Sequence, residues 1–210
     1  MVRIVSSSDR TCVSEAVRLL RQGELVCFPT DTVYGIGAAV TDEAAVRRLY
    51  AVKGRTLDKP LPVLIADAGS AAHFAEVTPV ARTLIDRFWP GGLTIVMRKA
   101  AGFDSLALAG RDTIALRVPD HSLLREIIRM LGEPVTGTSA NRAGARAPVS
   151  AAEVALQLGE MVALVIDGGR ASAGQESTVI DITQEGFSIV REGVVSREEI
   201  EQALGRKVGA

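Results

Sequence analysis

Aromatic residues make up only 4% of this 210-residue chain, with a single Trp. Any core must therefore be built mostly from Val, Leu, Ile and Ala. Cysteine and histidine are scarcer still, two of each. Cys12 and Cys27 have no CxxC spacing and no accompanying His cluster, which argues against a structural zinc site. They read as reduced packing residues of a cytosolic protein. An excess of one charge is also missing: 24 Lys and Arg against 25 Asp and Glu leave a net charge of -1. That balance argues against wholesale coating of nucleic acid or an anionic membrane, but leaves room for a local basic cleft. No apolar run approaches the roughly 20 residues of a membrane span, and the N-terminus lacks the apolar core of a signal peptide. The chain thus reads as soluble and cytoplasmic, with no membrane partner. GxxxxGK[ST], GxSxG and HExxH are absent, and no GxGxxG follows a strand. Any ATP must be held by a different architecture.

What is present is a well-mixed globular composition, 47% hydrophobic and 23% charged, with no repeat and no linker-like shift. It predicts one domain over residues 1–210. Helices are expected after Thr11 as N-cap (to about 22), after Thr41 as N-cap (42–52), after Thr78 with Pro79 in the first turn (to 88), over 121–131, over 151–158, and after Ser196 with Glu199 at the capping-box position. Strands are expected over 25–28, 61–65, 93–98, 113–118, 134–138, 164–167, 177–182 and 187–191, the last two paired. Residues 30–37 read as a Gly-containing loop and 209–210 as a short tail. Helices and strands alternate early and strands pair locally later. The expected fold is α/β, with a twisted mixed parallel and antiparallel sheet flanked by helices.

Two distant segments stand out, Lys53-Gly54-Arg55 and Ser139-Ala140-Asn141. Lys supplies a point charge, Arg a planar fork, and Ser and Asn neutral donors and acceptors, a set suited to phosphates and a second polar substrate. Lys53 also fits a plain role as a helix C-terminal cation. Arg55 and Lys59 lie past the helix stop, where anionic ligand atoms suit them better. Arg117 interrupts an apolar strand, and alternation puts Thr113, Ala115 and Arg117 on one face. A buried Arg needs a partner, so it serves either an internal ion pair or a substrate anion. Ser177 opens a strand after a Gly-rich stretch. Arg191 closes another, where an exposed edge charge is the plain alternative. Residues 167–174 are a candidate lid.

Seven ordered segments carry a resemblance: PTDTVYGIG (29–37), KGRTLDKPLPVLI (53–65), FWPGGLTIV (88–96), ALRVPDH (115–121), TSANRAG (138–144), ESTVID (176–181) and VREG (190–193). Across nearly its whole length the chain resembles the YrdC-like family of threonylcarbamoyl-AMP synthases. The resemblance implies a YrdC-like fold with a central basic cavity. It also implies a nucleotidyltransferase that makes threonylcarbamoyl-AMP, pyrophosphate and water from L-threonine, bicarbonate and ATP, with Mg²⁺ carried on the ATP. The product would pass to a tRNA threonylcarbamoyltransferase for modification of tRNA. By the same resemblance Lys53, Arg55, Ser139 and Asn141 form the catalytic tetrad. Thr32, Arg117 and Ser177 match threonine positions, with Arg117 on the carboxylate. Arg55, Lys59, Thr113, Ser139, Asn141 and Arg191 match ATP positions. The chain departs from some members at Lys59, Leu64, Gly137 and Ala147, and lacks the extra C-terminal domain of longer ones. It therefore resembles the short, single-domain form or a shortened chain. An alternative implied by the same family is an RNA-binding paralogue, contacting tRNA or double-stranded RNA, with little or no synthase activity.

Overall fold

A computed structural model describes residues 2–184 and 187–207; the expected tail at 209–210 lies outside them. The chain runs β1 (Ile4–Ser6), α1 (Cys12–Arg21), β2 (Val26–Phe28), β3 (Gly35–Gly37), α2 (Glu43–Lys53), β4 (Val63–Leu64), α3 (Pro79–Phe88), β5 (Leu93–Arg98), β6 (Thr113–Arg117) and α4 (Ser122–Leu131). It continues with β7 (Val135–Thr136), β8 (Thr138–Ser139), α5 (Ala151–Leu158), β9 (Leu164–Asp167), β10 (Thr178–Asp181), β11 (Ser188–Arg191) and α6 (Arg197–Leu204).

The α/β class holds, and the strands are shared between two mixed sheets. One has the order β1-β9-β2-β3-β8, the other β11-β10-β5-β6-β4-β7. The five-stranded sheet is parallel across β1, β9 and β2 and antiparallel across β2, β3 and β8. In the six-stranded sheet the pairs alternate, β11 and β10 antiparallel, β10 and β5 parallel, β5 and β6 antiparallel. The expected strand over 134–138 is instead broken at Gly137. Its first half, β7, pairs with β4 of the six-stranded sheet, and its second half, β8, pairs with β3 of the other. This crossing delivers Ser139 between the sheets. It needs a residue without a side chain, because a Cβ on Gly137 would stand 2.4 Å from Leu64 Cγ.

Local chemistry explains most of the helices. Thr78 accepts from Ala81 N at the start of α3, with Pro79 in the first turn. Ser196 and Glu199 form a reciprocal capping box on α6. One expected cap is corrected and one keeps its place without a side-chain bond. Asp42, not Thr41, caps α2 by accepting from Ala45 N, while the Thr41 hydroxyl is drawn to Glu133. Thr11 stands at the N-cap position of α1 as expected but makes no side-chain cap bond, its backbone being already helical and its hydroxyl turned to Asp9. Residues 30–37, expected as a loop, contain β3. Two glycines hid it, yet both are required: a Cβ at Gly35 or Gly37 would meet the Phe28 ring at 2.8 or 2.9 Å.

The core follows the aromatic shortage. Aliphatic side chains dominate a main cluster between the sheets and helices, and a second cluster joins α1 to α4 through Val17, Leu20, Leu124 and Ile127. Trp89 is buried and donates its indole N–H to Leu93 O at 2.7 Å. Both cysteines are buried and free, as the packing reading expects.

Gly193 is the tightest fit near β10 and β11. A Cβ there would lie 2.2 Å from Glu176 O and 2.6 Å from Thr178 N, both main-chain atoms. Gly193→Ala must therefore push the 192–194 segment off β10, at a cost of about 1–3 kcal/mol. Urea unfolding should show the lower midpoint; an unchanged midpoint would mean that the contact is not rigid.

Candidate functional site

A cavity of about 460 Å³ opens between the two sheets. The five-stranded sheet and its loops contribute Thr30, Thr32, Val33, Gly35 and Ser139; the six-stranded sheet contributes Thr94, Val96, Ala115, Arg117, Val179 and Arg191. Arg55, Arg117 and Arg191 bring three guanidinium groups to its wall, against one carboxylate, Glu176.

Arg117 ends β6 and is 6% exposed, so its charge must be compensated. Its Nη2 donates to Asp31 Oδ1 at 2.6 Å, Nη1 to Thr32 Oγ1 at 3.0 Å, and Nε to Gly91 O at 2.8 Å. The internal ion pair left open by the strand pattern therefore exists. The guanidinium still lines the cavity, and two of its five N–H groups are not taken by these bonds. Burial pulls the Arg117 pKa down, Asp31 opposes this, and Arg191 adds to the fall. Thr32 is bonded on both sides. Thr30 Oγ1 gives its one proton to Val33 O at 2.6 Å, so Thr32 donates to Thr30 at 2.8 Å while accepting from Arg117.

In the tetrad, Lys53, Ser139 and Asn141 are bonded together, and Arg55 shares the cavity wall with Ser139. Lys53, buried at the end of α2, directs its ammonium to Ser139 O at 2.6 Å, Asn141 O at 2.6 Å and Asn141 Oδ1 at 2.7 Å. Those three acceptors use all three of its protons. Ser139 Oγ also donates to Asn141 Oδ1 at 2.7 Å, and Asn141 Nδ2 donates to Ala145 O at 2.6 Å. Of the four, Ser139 and Arg55 line the cavity, while Lys53 and Asn141 brace the loop behind it. Burial pushes the Lys53 pKa down to about 8; Glu176 opposes this and Arg55 reinforces it. Arg55 donates to Pro60 O at 2.9 Å, and its Nε is buried with no partner in the protein.

At the far wall, Arg191 Nη2 bonds Ser177 O at 2.9 Å and Ser177 Oγ at 3.0 Å, and Nη1 lies 3.2 Å from Glu176 Oε1. Arg191 is thus a clamped cavity residue, not the loose edge charge of the plain reading. Ser177 Oγ shares a 3.0 Å hydrogen bond with Thr94 Oγ1.

Two expected site residues stay apart. Lys59 is exposed and Thr113 half-buried, and neither lines the cavity. Segment 167–174 lines none of it either. Tyr34 holds this segment by donating to Gly169 O and accepting from Gly168 N, and Asp31 O accepts from Ala173 N and Ser172 Oγ. These ties make it part of the wall's support where a lid was expected. The sequence reading assigned no role to Asp31, Thr94 or Glu176. Asp31 lies inside the PTDTVYGIG segment, and the need of a buried Arg for a partner is the signal that points to it. The departures at Leu64 and Gly137 are one packing event, since Leu64 occupies the space that a side chain at 137 would need.

The family model described as "Telomere recombination", covering Sua5, YciO and YrdC, matches residues 18–193. The threonylcarbamoyl-AMP synthase of Bacillus subtilis (strain 168) is 40% identical over 201 residues, covering 95% of this chain and 58% of the relative. That of Pyrococcus abyssi (strain GE5 / Orsay) is 40% identical over 191 residues, covering 90% and 56%. The chain thus spans a little over half the length of these two relatives. The crystal structure of P. abyssi Sua5 complexed with L-threonine superposes with a TM-score of 0.92 and 37% identity, covering 100% of this chain and 62% of that one.

The Lys53 anchor has a pH signature. Its pKa of about 8 lies below the ordinary 10.5. Between those values the unfolded chain binds more protons than the folded one, so stability rises with pH across the window. The stability of wild type relative to Lys53→Met, from urea unfolding, should therefore increase as pH is raised from about 8 toward 10.5. A constant difference would contradict the depressed pKa.

Proposed function

The chain belongs to the Sua5/YciO/YrdC family, and from that premise we propose that it is an L-threonylcarbamoyl-AMP synthase whose catalytic domain is the single unit 1–210. The observation that carries the reading is the convergence of Arg55, Arg117 and Arg191 with Ser139 and Ser177 on one cavity. The substrates would be L-threonine, bicarbonate and ATP. The threonine amine adds to bicarbonate with loss of water. The resulting carbamate oxygen attacks the α-phosphorus, pyrophosphate leaves, and threonylcarbamoyl-AMP remains. Charge builds on the carbamate and on the departing pyrophosphate, so fixed cations and in-line positioning supply the catalysis and no protein nucleophile is required.

Roles follow from position. Arg117, with donors left after its internal bonds, takes the threonine carboxylate, with Thr32 and Ser177 beside it. The crystal structure of P. abyssi Sua5 complexed with L-threonine supports threonine as a ligand of this chain. Arg55, Ser139 and Arg191 face ATP, and Lys53 and Asn141 hold Ser139 in place. Lys59 and Thr113 could act on ATP only outside the lined cavity. Among the described residues no group of three His, Cys, Asp or Glu side chains is gathered for a metal. Mg²⁺ would enter as part of the ATP substrate, held mainly by phosphate oxygens. The product would go to a tRNA threonylcarbamoyltransferase, placing the reaction in the cytoplasm. Among the described residues no helix is long and apolar enough to cross a membrane.

Mass spectrometry of protein with ATP, Mg²⁺, L-threonine and bicarbonate, with single-omission controls, tests the reading. A threonylcarbamoyl-AMP peak that disappears when any substrate is omitted is the expected result. Folded protein that binds ATP yet forms no adduct would move the reading to the RNA-binding paralogue, with salt-dependent tRNA binding.

A further inference from the structure

Asp31 lies outside every role given above, yet it is joined to three parts of the site. Its Oδ1 accepts from Arg117 Nη2 at 2.6 Å and from Asp120 N at 3.1 Å. Its main-chain oxygen accepts from Ala173 N at 3.1 Å and Ser172 Oγ at 3.0 Å. The pair is well shielded, with the Arg117 side chain 7% and the Asp31 side chain 17% exposed. A buried cation without a counter-ion is costly, so in the free protein Asp31 keeps Arg117 charged and fixed. Gly91 O and Thr32 Oγ1 complete the fixing. A ligand carboxylate reaching the remaining N–H groups from the cavity would meet a guanidinium already shared with one carboxylate. The two anions then share one cation and repel each other.

We propose that Asp31 is a positioning residue that acts as a built-in competitor: it aims Arg117 at the cavity and limits, through its own charge, how tightly a substrate carboxylate binds there. This rests on the reading of Arg117 as the threonine carboxylate site. Asp31 contributes two separable things, a hydrogen-bond acceptor that fixes geometry and a negative charge that competes. Asn at this position keeps the first and removes the second; Ala removes both.

The test compares wild type, Asp31→Asn and Asp31→Ala by calorimetric binding of L-threonine, by thermal shift with L-threonine and with formate, and by steady-state kinetics. Asp31→Asn should melt lower than wild type when free, yet bind L-threonine about tenfold more tightly, the scale of a like-charge repulsion across one guanidinium at high effective dielectric. Its stabilisation by either carboxylate should exceed that of wild type. Asp31→Ala should bind more weakly than Asp31→Asn, because Arg117 is no longer aimed. In turnover the change should fall on KM for threonine and leave KM for ATP unmoved, whereas general loosening of the site would raise both. Equal threonine binding by the Asn and Ala variants, or weaker binding than wild type by both, would overturn the proposal. If L-threonine shifts none of the proteins while formate stabilises Asp31→Asn more than wild type, the threonine reading fails and the role of Asp31 stands. If neither carboxylate favours Asp31→Asn, the role itself is wrong. Folding of Asp31→Asn only with formate present is the same support in stronger form. Folding in neither condition would contradict it, since a ligand carboxylate should replace the lost counter-ion.

Discussion

Arg117 carries a guanidinium from the six-stranded sheet into the loop that leaves β2 of the five-stranded one, and its bonds to Asp31 and Thr32 tie the two sheets at the cavity. Besides this tie the sheets are joined by bonds between Ala38 and Thr136 and by apolar packing, and packing sets no direction. A buried ion pair does, because breaking it leaves a charge uncompensated at a cost of about 3–5 kcal/mol. The register of β6 against β4, Leu64 opposite Arg117, therefore fixes where the cation stands, and the loop over 30–32 is fixed with it. The hydroxyl chain from Arg117 through Thr32 and Thr30 to Val33 O carries that order into the start of β3.

The opposite wall uses the same physics with different groups. Lys53 spends its three protons on the 139–141 segment, so a cation that looked like a phosphate ligand by type acts instead as a brace. What faces the cavity is Ser139 and the Arg55 guanidinium, which keeps a buried unpaired N–H. The β7–β8 crossover at Gly137 makes this geometry possible by passing the chain from one sheet to the other just before Ser139. In the proposed reaction this division is useful: cations that meet substrate are themselves held by buried neighbours, so little reorganisation is needed as charge develops.

The sequence made the helices legible because their ends carry explicit chemistry, as at Thr78 with Pro79 and at Ser196 with Glu199. Long strands such as β5 were also readable from composition. Gly35–Gly37 was not, because a three-residue strand with two glycines has no alternation, and its reason for lacking side chains is the Phe28 ring across the sheet. The break at Gly137 was hidden for a similar reason, the space being taken by Leu64 from a distant segment. At the site, residue types singled out Arg55 and left Arg117 open between an ion pair and a substrate anion, while Ser139, Ser177 and Arg191 took site roles through the family pattern. Lys59 shares a motif with Arg55, yet it is exposed and does not line the cavity. Asp31 lies 86 positions from Arg117, so only the need of a buried Arg for a partner points to it.

The claim at the centre of this account is that the Arg117 fork is the carboxylate anchor of the cavity. Calorimetric titration of L-threonine into wild type and Arg117→Lys tests it most directly, since Lys keeps a cation for Asp31 and removes only the planar fork. The account predicts one saturable site per chain in wild type and binding about tenfold or more weaker in the variant. Equal affinity in the two proteins would contradict it.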